Sequence, residues 1–326
     1  ERSWSLLAFH ALPVGVDGIL SLVVSRADGP EDKIARLSSA RGRKSSASGR
    51  FSSEGESPRS GLTTAGDWPK KHGERTRERR LSDMKPFLIL QLRPEAEASD
   101  DEFRAILEKG GLTAERARRV RLEREELPQI DLADYAGVIV GGGPGCVSDA
   151  PEAKSPLEKH IEDEVMSLMP AITAGDVPFL GCCYGIGILA HHLGGTVSKE
   201  RYGEPVSVVR ATATETGRDD PLLAGIDGPF DAFVGHKEAV QALPEGCVHI
   251  VAGDGCPFQM IRYGENVYAT QFHPEADGEV FALRIRIYRD KGYFAPEDAD
   301  RLTAAARLGN PEAGTRILRN FIDRYG

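Results

Sequence analysis

The sequence contains no pair of cysteines at CxxC spacing, and its five cysteines stand at positions 146, 182, 183, 247 and 256. An odd set without such pairs argues against a disulfide framework or a cysteine-ligated zinc site, and is typical of the reducing cytoplasm. His191 and His192 are adjacent, and adjacent helical residues do not face one another, so they do not indicate a metal site. We therefore expect a cytoplasmic protein without a metal.

Long hydrophobic runs are missing as well. The stretch from Trp4 to Val24 is fairly apolar, but Pro13 and Gly15 interrupt it, so it is too broken to span a bilayer. Arg2 alone is a poor basic region for a signal peptide. The formal net charge of −9 argues against nucleic acid as the main partner. We expect neither a membrane nor a nucleic acid as a partner.

The first quarter of the chain contains no methionine before Met84. Residues 1–83 carry 15 Lys and Arg against 11 Asp and Glu, a net charge of +4, which leaves −13 on the remainder. From Ser38 to Arg80 there is hardly an aliphatic residue, so this stretch cannot bury enough surface to offset its ordering entropy. We expect residues 1–83 to be a disordered or non-native leader, with a transit peptide as the alternative, and residues 84–326 to form one domain.

The pattern after Met84 alternates between apolar strands and helices. Strands are predicted at residues 87–90, around Val120, at 135–140 and at 177–180, and helices between them. Ser99 with Glu102 has the spacing of a capping box, and a second helix is predicted over 156–174. This alternation predicts an α/β fold with a doubly wound, mostly parallel sheet. Short strands after Gly195 predict a sheet extension or an antiparallel layer, and the chain is helical again from Asp277.

The stretch from Val177 to Ala190 passes from an apolar strand directly into an apolar helix. Between them stands Gly-Cys-Cys-Tyr-Gly, with small residues on both sides of Cys183. Glycines at both flanks allow a sharp turn that exposes the central side chain, as in a nucleophile elbow. The positive end of the helix dipole is expected to stabilise a thiolate there. A buried structural cysteine is the alternative for this stretch taken alone.

Two further segments follow apolar strands. Gly142-Gly143-Pro144 comes after the strand at 135–140, at the sheet edge where open α/β folds bind ligands, but its spacing fits neither a dinucleotide motif nor a P-loop, so no cofactor is expected. His273 and Glu275 follow the strand at 267–270. Residues two apart in extended chain share a face, so Glu275 can orient the imidazole of His273. Nucleophile, base and carboxylate thus satisfy the logic of a catalytic triad.

The order Gly-Gly-Pro, Gly-x-Cys-x-Gly and His-Pro-Glu resembles the class I glutamine amidotransferases, particularly the amidotransferase portion of GMP synthetase. The resemblance covers about residues 84–326 and implies a flavodoxin-like domain with helices on both faces and a C-terminal helical extension. It implies that Cys183 attacks the amide of glutamine, that His273 moves protons and that Glu275 orients it. Backbone N–H groups of Gly143 and Tyr184 would form the oxyanion hole, and a γ-glutamyl thioester would form and be hydrolysed.

Two positions depart from the family pattern. Gly187 stands at a position where many family members have glutamine, and Gly235-His236 replaces the usual Ser-His. We expect Gly142, Gly187 and His236 to lie near the substrate, with a structural role as the alternative for His236. The resemblance implies a stand-alone amidotransferase that uses glutamine or another γ-glutamyl compound, with a separate synthetase subunit as a candidate ammonia acceptor. The alternatives are a γ-glutamyl hydrolase or peptidase with the same triad, and a catalytically silent relative that binds a partner.

Overall fold

The structure is a computed structural model that describes residues 84–326, so the predictions for residues 1–83 lie outside the described part. Its central feature is a nine-stranded sheet. The strands of this described part are β1 Phe87–Gln91, β2 Ala117–Arg121, β3 Gly137–Val140, β4 Phe179–Cys182, β5 Val197–Ser198, β6 Glu204–Ala213, β7 Phe230–His236, β8 Ala239–Val240, β9 Cys247–Gly253, β10 Met260–Tyr263 and β11 Val267–Thr270. The helices are α1 Ala96–Gly110, α2 Pro156–Gly175, α3 Tyr184–His192, α4 Gly278–Ile287, α5 Ala299–Ala306 and α6 Glu312–Tyr325.

The strands of the large sheet follow the order β2-β1-β3-β4-β11-β10-β9-β6-β7. The first five strands of this order pair in parallel, and they have the 2-1-3-4-5 arrangement of flavodoxin-like folds. The predicted doubly wound sheet is therefore confirmed. The last member of the parallel block, β11, comes from late in the chain and lies beside β4, with Thr270 paired to Cys182.

The remaining four strands extend the same sheet through antiparallel pairs. Because the direction reverses at each of these pairs, only β10 and β6 run against the parallel block, and seven of the nine strands share one direction. Of the two alternatives predicted for the strands after Gly195, the structure has the sheet extension. A separate two-stranded pair, β5 with β8, accompanies it.

Helices cover both faces of the sheet, and this explains why the first four residues of β1 are apolar. All five of its residues are buried. Leu88 and Leu90 belong to the core beneath α2 and α3, while Phe87 and Ile89 face the opposite core with α1 and α6. A strand that is covered on both faces is apolar along nearly its whole length, because successive side chains point to opposite sides, and the polar Gln91 at its end is hydrogen-bonded to the backbone of Ser99. The predicted C-terminal helices are present as α4, α5 and α6.

The helix start predicted from Ser99 and Glu102 was wrong. The N-cap residue is Glu95, four residues before Ser99; the helix begins at Ala96, and Glu95 makes no side-chain cap bond. Both predicted capping residues are fully buried inside the helix. A capping box does occur at the start of α2, where Ser155 and Glu158 bond each other's backbone N–H groups. The second helix runs from Pro156 to Gly175, close to the prediction.

Within residues 84–326, no helix is both long enough and apolar enough to cross a bilayer.

Candidate active site

Cys183 stands at the junction between β4 and α3, in the position predicted for a nucleophile. Its backbone has φ 54° and ψ −90°, a region that is strained for a residue with a side chain. Gly181, two residues before Cys183, makes this turn possible. A Cβ on Gly181 would lie only 2.9 Å from the backbone carbonyl carbon of Gly185. The sequence therefore builds a tight strand-to-helix turn whose central side chain reaches the carboxyl edge of the sheet.

The surroundings of Cys183 favour the protonated form of its thiol. Burial raises its pKa to about 12, and the nearby charge of Arg93 opposes this rise only in part. The expectation that the helix terminus would hold a resting thiolate is thus not met, because burial outweighs the favourable charges. The thiol must transfer its proton to a base as it attacks, so a neutral partner is required.

His273 and Glu275 form a buried pair directly after β11. The Nδ1 atom of His273 lies 2.9 Å from Oε1 of Glu275, and both side chains are almost fully buried. Burial lowers the pKa of His273, whereas the carboxylate of Glu275 opposes that change. The neighbouring imidazole and Arg284 hold the pKa of Glu275 well below its usual range despite burial. The result is a neutral imidazole oriented by an ionised carboxylate, which is the form that a general base needs.

The side chains of Cys183 and His273 line one cavity of about 40 Å³. Arg93, Arg284 and Tyr293 line the same cavity. The residues are brought together because β4 and β11 are adjacent parallel strands that end at the same sheet edge. The structure therefore assembles the three predicted triad members at one site, although His273 follows Cys183 by 90 positions.

A network of buried charges that the sequence analysis missed supports the triad. Arg284 donates from Nη2 to Oε1 of Glu275 at 2.7 Å, and the same nitrogen lies 3.6 Å from Oε1 of Glu102. Glu102 in turn accepts from Nε of Arg93 at 2.8 Å. Two carboxylates and two guanidinium groups thus compensate one another away from water. The sequence offered one signal for this network, which was the position of Arg93 just after β1, at the carboxyl edge of the sheet.

The Gly-rich turn after β3 lies on the other side of the nucleophile. Gly143 lines the cavity of Cys183 and His273, and Tyr184 is the first residue of α3. In the hydrogen bonds that the turns, loops and helix caps of residues 84–326 make, neither Gly143 nor Tyr184 uses its N–H as a donor. First-turn N–H groups of a helix have no intrahelical acceptor, so that of Tyr184 is free for a ligand. Both predicted oxyanion donors therefore have an unoccupied N–H group.

Gly142, which was predicted to lie near the substrate, packs against the imidazole of His273. Its N–H donates to Oε1 of Glu102 at 3.2 Å. A Cβ at this position would lie 2.5 Å from Cε1 of His273 and 2.7 Å from Nη2 of Arg93. Gly142 is not among the residues that line the cavities around Cys183. Its absent side chain makes room for His273 and Arg93.

Gly187 and His236 lie together in a narrow cavity beside Cys183, of about 20 Å³. Glu238, which the sequence analysis did not single out, faces the same cavity. Its carboxylate accepts from the backbone N–H groups of Val147 and Ser148, each at 2.9 Å. A Cβ on Gly187 would lie 3.1 Å from Oε1 of Glu238. The carboxylate of Glu238 therefore lies directly beside Gly187.

His236 lines this cavity and also supports it from behind. Its Nδ1 atom lies 2.8 Å from the carbonyl oxygen of Glu238, and its Nε2 atom lies 3.0 Å from Oε2 of Glu204. Gln259 also donates to Oε2 of Glu204, at 2.7 Å. Both alternatives predicted for His236 therefore apply, since the ring borders the cavity and fixes the backbone of Glu238.

Within residues 84–326, two groups of buried side chains have the atoms to hold a metal ion. They are Glu204 with His236 and Cys256, and Glu102 with His273 and Glu275. In the second group the guanidinium of Arg284 already lies within contact distance of both carboxylates. In the first, hydrogen bonds from Gln259 and His236 engage the carboxylate. We therefore assign the positive charge that faces Glu102 and Glu275 to Arg284.

A comparison with known families decides the affiliation. The sequence model of the family described as glutamine amidotransferase class-I matches residues 104–285, more than half of the chain. The chain belongs to the class-I glutamine amidotransferase family. The match includes Cys183, His273 and Glu275, so the triad assembled in the structure lies within the amidotransferase domain. The protein is therefore of an enzyme family, as the motifs predicted.

Curated relatives of this amidotransferase include GMP synthases described as glutamine-hydrolysing. The GMP synthase of Thermosipho africanus (strain TCF52B) is 33% identical over 156 residues, which cover 46% of this chain and 26% of that relative. The GMP synthase of Porphyromonas gingivalis (strain ATCC BAA-308 / W83) is 30% identical over 205 residues, covering 62% of this chain and 30% of the relative. The matched part is thus about a quarter to a third of the length of these relatives.

Solved structures of glutamine amidotransferases share the fold. The enzyme from Thermotoga maritima superposes with a TM-score of 0.60 at 19% identity, over 74% of this chain and 98% of its own. The one from Methylobacillus flagellatus has a TM-score of 0.57, also at 19% identity, over 75% and 96% of the two chains. The flavodoxin-like architecture is therefore that of known class-I amidotransferase domains.

Proposed function

We propose that this amidotransferase domain hydrolyses glutamine to glutamate and ammonia through a thioester on Cys183. The observation that carries the proposal is the shared cavity of Cys183 and His273, with Glu275 bonded to the far side of the imidazole. A neutral thiol and a neutral imidazole at the same cavity form a nucleophile and its base. The free N–H groups of Gly143 and Tyr184 supply the donors that a tetrahedral intermediate needs.

The reaction proceeds in two balanced halves. His273 takes the thiol proton of Cys183 as sulfur attacks the γ-carbonyl carbon, and the carbonyl oxygen becomes an oxyanion held by Gly143 and Tyr184. The C–N bond breaks as His273 returns the proton to the leaving nitrogen, which departs as ammonia. Water then gives a proton to His273 and attacks the thioester, which releases glutamate and restores the thiol.

For the ammonia acceptor, we propose a class of enzyme. The similar proteins are GMP synthases, of which this chain matches about a quarter to a third. We propose that the ammonia passes to a synthetase that is a separate subunit or a separate part of the enzyme.

The direct test is release of glutamate and ammonia from glutamine by the purified chain, with asparagine as the matched substrate control. We expect glutamine to be hydrolysed and asparagine to be inert, because one methylene fewer moves the amide away from Cys183 when the amino-acid group stays bound. Failure to hydrolyse glutamine, with no modification of Cys183 by an electrophilic glutamine analogue, would overturn the proposed function.

Glu238 is proposed to bind the α-ammonium group of glutamine. Its two carboxylate oxygens each hold one backbone N–H and keep further lone pairs. Gln271 lines the same cavity, is 2% exposed, and its Oε1 atom has no hydrogen-bond partner within residues 84–326. A cation with several N–H donors satisfies both acceptors. The carboxylate would then do the work of the family glutamine that Gly187 replaces.

We therefore expect Glu238→Gln to lower kcat/KM for glutamine by about 10- to 100-fold, mainly through KM, since a charge-assisted hydrogen bond is lost. Hydrolysis of glutaramate, which is glutamine without its α-amino group, should change little. Steady-state kinetics with both substrates check this. Equal losses on the two substrates would mean that Glu238 only braces the backbone of Val147 and Ser148.

Arg284 is expected to tune the pH dependence of the reaction. Glu275, Glu102, Arg93, Arg284 and the thiol of Cys183 all surround the imidazole of His273. Arg284 and Arg93 lower the pKa of His273, in addition to the larger effect of burial. Removing the charge of Arg284 removes part of that lowering, so the pKa of His273 rises and the neutral base appears only at higher pH.

The variant Arg284→Gln should therefore move the acid limb of the kcat/KM profile to higher pH. The loss of activity should be larger at about pH 6 than at about pH 9. Arg286→Gln is the matched control, because Arg286 lies on the same helix but is exposed and pairs with Glu97. An unshifted acid limb with a uniform loss of activity would reduce Arg284 to a structural role.

A further inference from the structure

The side chains of Glu204, His236 and Cys256 form a buried cluster next to the narrow cavity beside Cys183. Glu204 is the first residue of β6, His236 is the last residue of β7, and the two are paired across these strands. Cys256 follows β9 and is fully buried, and the other two side chains belong to residues that are 6% exposed. One carboxylate oxygen, one ring nitrogen and one sulfur lie within 4.8 Å of one another. Three different ligand atoms thus converge away from water.

The carboxylate of this Glu-His-Cys cluster has no lysine or arginine beside it. Within the described residues 84–326, the ion pairs of Glu204 involve His236 alone. The other buried carboxylates near the site are compensated differently, since Glu102 pairs with Arg93 and Glu275 with Arg284. A buried carboxylate is costly without a positive charge close by. The cluster therefore needs a cation that is either a proton on His236 or a metal ion.

The ring of His236 is oriented as a metal ligand would be. Its Nδ1 atom lies 2.8 Å from the carbonyl oxygen of Glu238, which can only accept, so this nitrogen carries the hydrogen of a neutral imidazole. Nε2 then presents a lone pair to Oε2 of Glu204 at 3.0 Å. A histidine that binds a metal typically donates its other ring N–H to a carbonyl or carboxylate oxygen in this way. A metal ion between Nε2 and Oε2 satisfies both lone pairs.

The turn between β9 and β10 brings two further ligand atoms to the carboxylate. The N–H of Gly253 donates to the carbonyl oxygen of Cys256 at 3.0 Å, and a Cβ on Gly255 would lie 2.6 Å from Oε1 of Glu204. Gln259 is fully buried and donates from Nε2 to Oε2 of Glu204 at 2.7 Å. Its Oε1 atom has no hydrogen-bond partner in the part of the chain that the structure describes. A half-turn of this amide places Oε1 beside the carboxylate.

We propose that the Glu-His-Cys cluster binds a zinc ion, with the amide oxygen of Gln259 as the fourth ligand. Zinc accepts thiolate, imidazole and carboxylate ligands in a tetrahedral arrangement, in which the ligand atoms lie about 3.3–3.6 Å apart. The nitrogen and oxygen at 3.0 Å, and the sulfur within 4.8 Å of both, reach that geometry by small side-chain movements. Magnesium and calcium prefer oxygen ligands, so the sulfur favours zinc over them. On binding, the thiol of Cys256 releases its proton to solvent.

The zinc ion would act on the structure around the substrate cavity and not on the reacting atoms. It would join β6, β7 and the turn after β9, and through His236 it would fix the backbone of Glu238. The spacing of cysteines could not reveal such a site, because each ligand comes from a different segment of the chain. The inference does not depend on the proposed glutaminase reaction.

The first test measures zinc binding by the full chain under reducing conditions. After loading with zinc and removal of the free metal, elemental analysis should find a single zinc ion per chain. Adding zinc to chelator-treated protein should raise Tm by about 4 °C or more, because a ligand that binds only the folded state stabilises it. A zinc content far below one ion per chain, or an unchanged Tm, would overturn the inference.

The second test uses three cysteine variants. Cys256→Ala should lower the affinity for zinc by about 10²-fold or more in competition with a zinc-binding dye, and zinc should no longer shift its Tm. Cys247→Ala is the matched control, because Cys247 lies partly buried on β9 outside the cluster. Cys183→Ala should also keep the zinc. Equal affinity of Cys256→Ala and the parent, or loss of zinc in Cys183→Ala, would place the ion elsewhere and overturn the inference.

Cobalt(II) gives a readout that leaves the cluster intact, so the inference can be tested even when Cys256→Ala does not fold. The Cys183→Ala protein is used to remove the thiol of the catalytic cavity. Bound cobalt should show the near-ultraviolet charge-transfer absorption of a thiolate ligand and the strong visible absorption of a four-coordinate ion. Absence of both would contradict the zinc site. Glutamine hydrolysis by the unmodified protein is assayed separately, so failure of either proposal leaves the other standing.

Discussion

Replacing Cys183 by alanine should abolish ammonia release from glutamine, with a loss of about 10⁴-fold or more. The side chain supplies the atom that forms the thioester, and loss of a catalytic nucleophile leaves only the residual effect of the oxyanion donors and binding. Ammonia and glutamate release under substrate saturation measures the effect. No γ-glutamyl adduct should be detectable on the variant by intact-protein mass.

The neighbouring cysteine provides a matched control for this substitution. Cys182 is the last residue of β4 and is 1% exposed, and burial raises the pKa of its thiol well above the ordinary value. It is not among the residues that line the cavities around Cys183. Cys182→Ala should therefore keep most of the activity, with a modest loss of stability from the lost packing. Reversed behaviour of the two variants would place the elbow one residue earlier.

His273 and Glu275 should be unequal partners in the reaction. His273→Ala should approach the loss seen for Cys183→Ala, because the surroundings of Cys183 favour the protonated thiol, which needs a base to take its proton. Glu275→Gln keeps the shape of the side chain but removes the charge that stabilises the imidazolium. It also leaves Arg284 facing an uncharged partner at 2.7 Å. We expect a loss of about 10²-fold or more, by analogy with other triads.

Single-turnover thioester formation distinguishes these two contributions. Each variant is mixed with glutamine, stopped with acid and assayed for the covalent adduct. Adding Cys183→Ala to either substitution should cause little further loss, because the three side chains act as one unit. Formation of the thioester by Glu275→Gln at the parental rate would contradict the role of the carboxylate and leave only Cys183 and His273 as the working pair.

Much of the site could be predicted because its signals are local. The elbow needs glycine on both sides of Cys183, and the strained φ of 54° shows the physical reason. His273 and Glu275 are separated by one proline, so their pairing depends on few intervening dihedral angles. The free N–H of Tyr184 follows from its place at a helix start. Each of these features is a property of a few consecutive residues.

The errors came from features that depend on distant packing. Ser99 and Glu102 have the spacing of a capping box, but both are buried within α1, and Glu102 instead pairs with Arg93. The spacing of Ser99 and Glu102 is the same whether they cap an exposed helix start or lie buried inside a helix. Local spacing therefore could not show that Glu102 is buried and pairs with Arg93. The pKa of Cys183 was misjudged for the same reason. The depth to which its thiol is buried depends on the surrounding helices and strands and not on the elbow itself.

The sequence by itself determined the parallel α/β core and which three residues are proposed as the triad, because strand periodicity, glycine placement and residue spacing act within short segments. Only the tertiary structure decided that β11 inserts beside β4, which places His273 next to Cys183. It also decided that Arg284 neutralises Glu275 and that Glu238 faces Gly187. These contacts join residues far apart in the chain, and their geometry depends on how helices and strands pack, which no local pattern encodes.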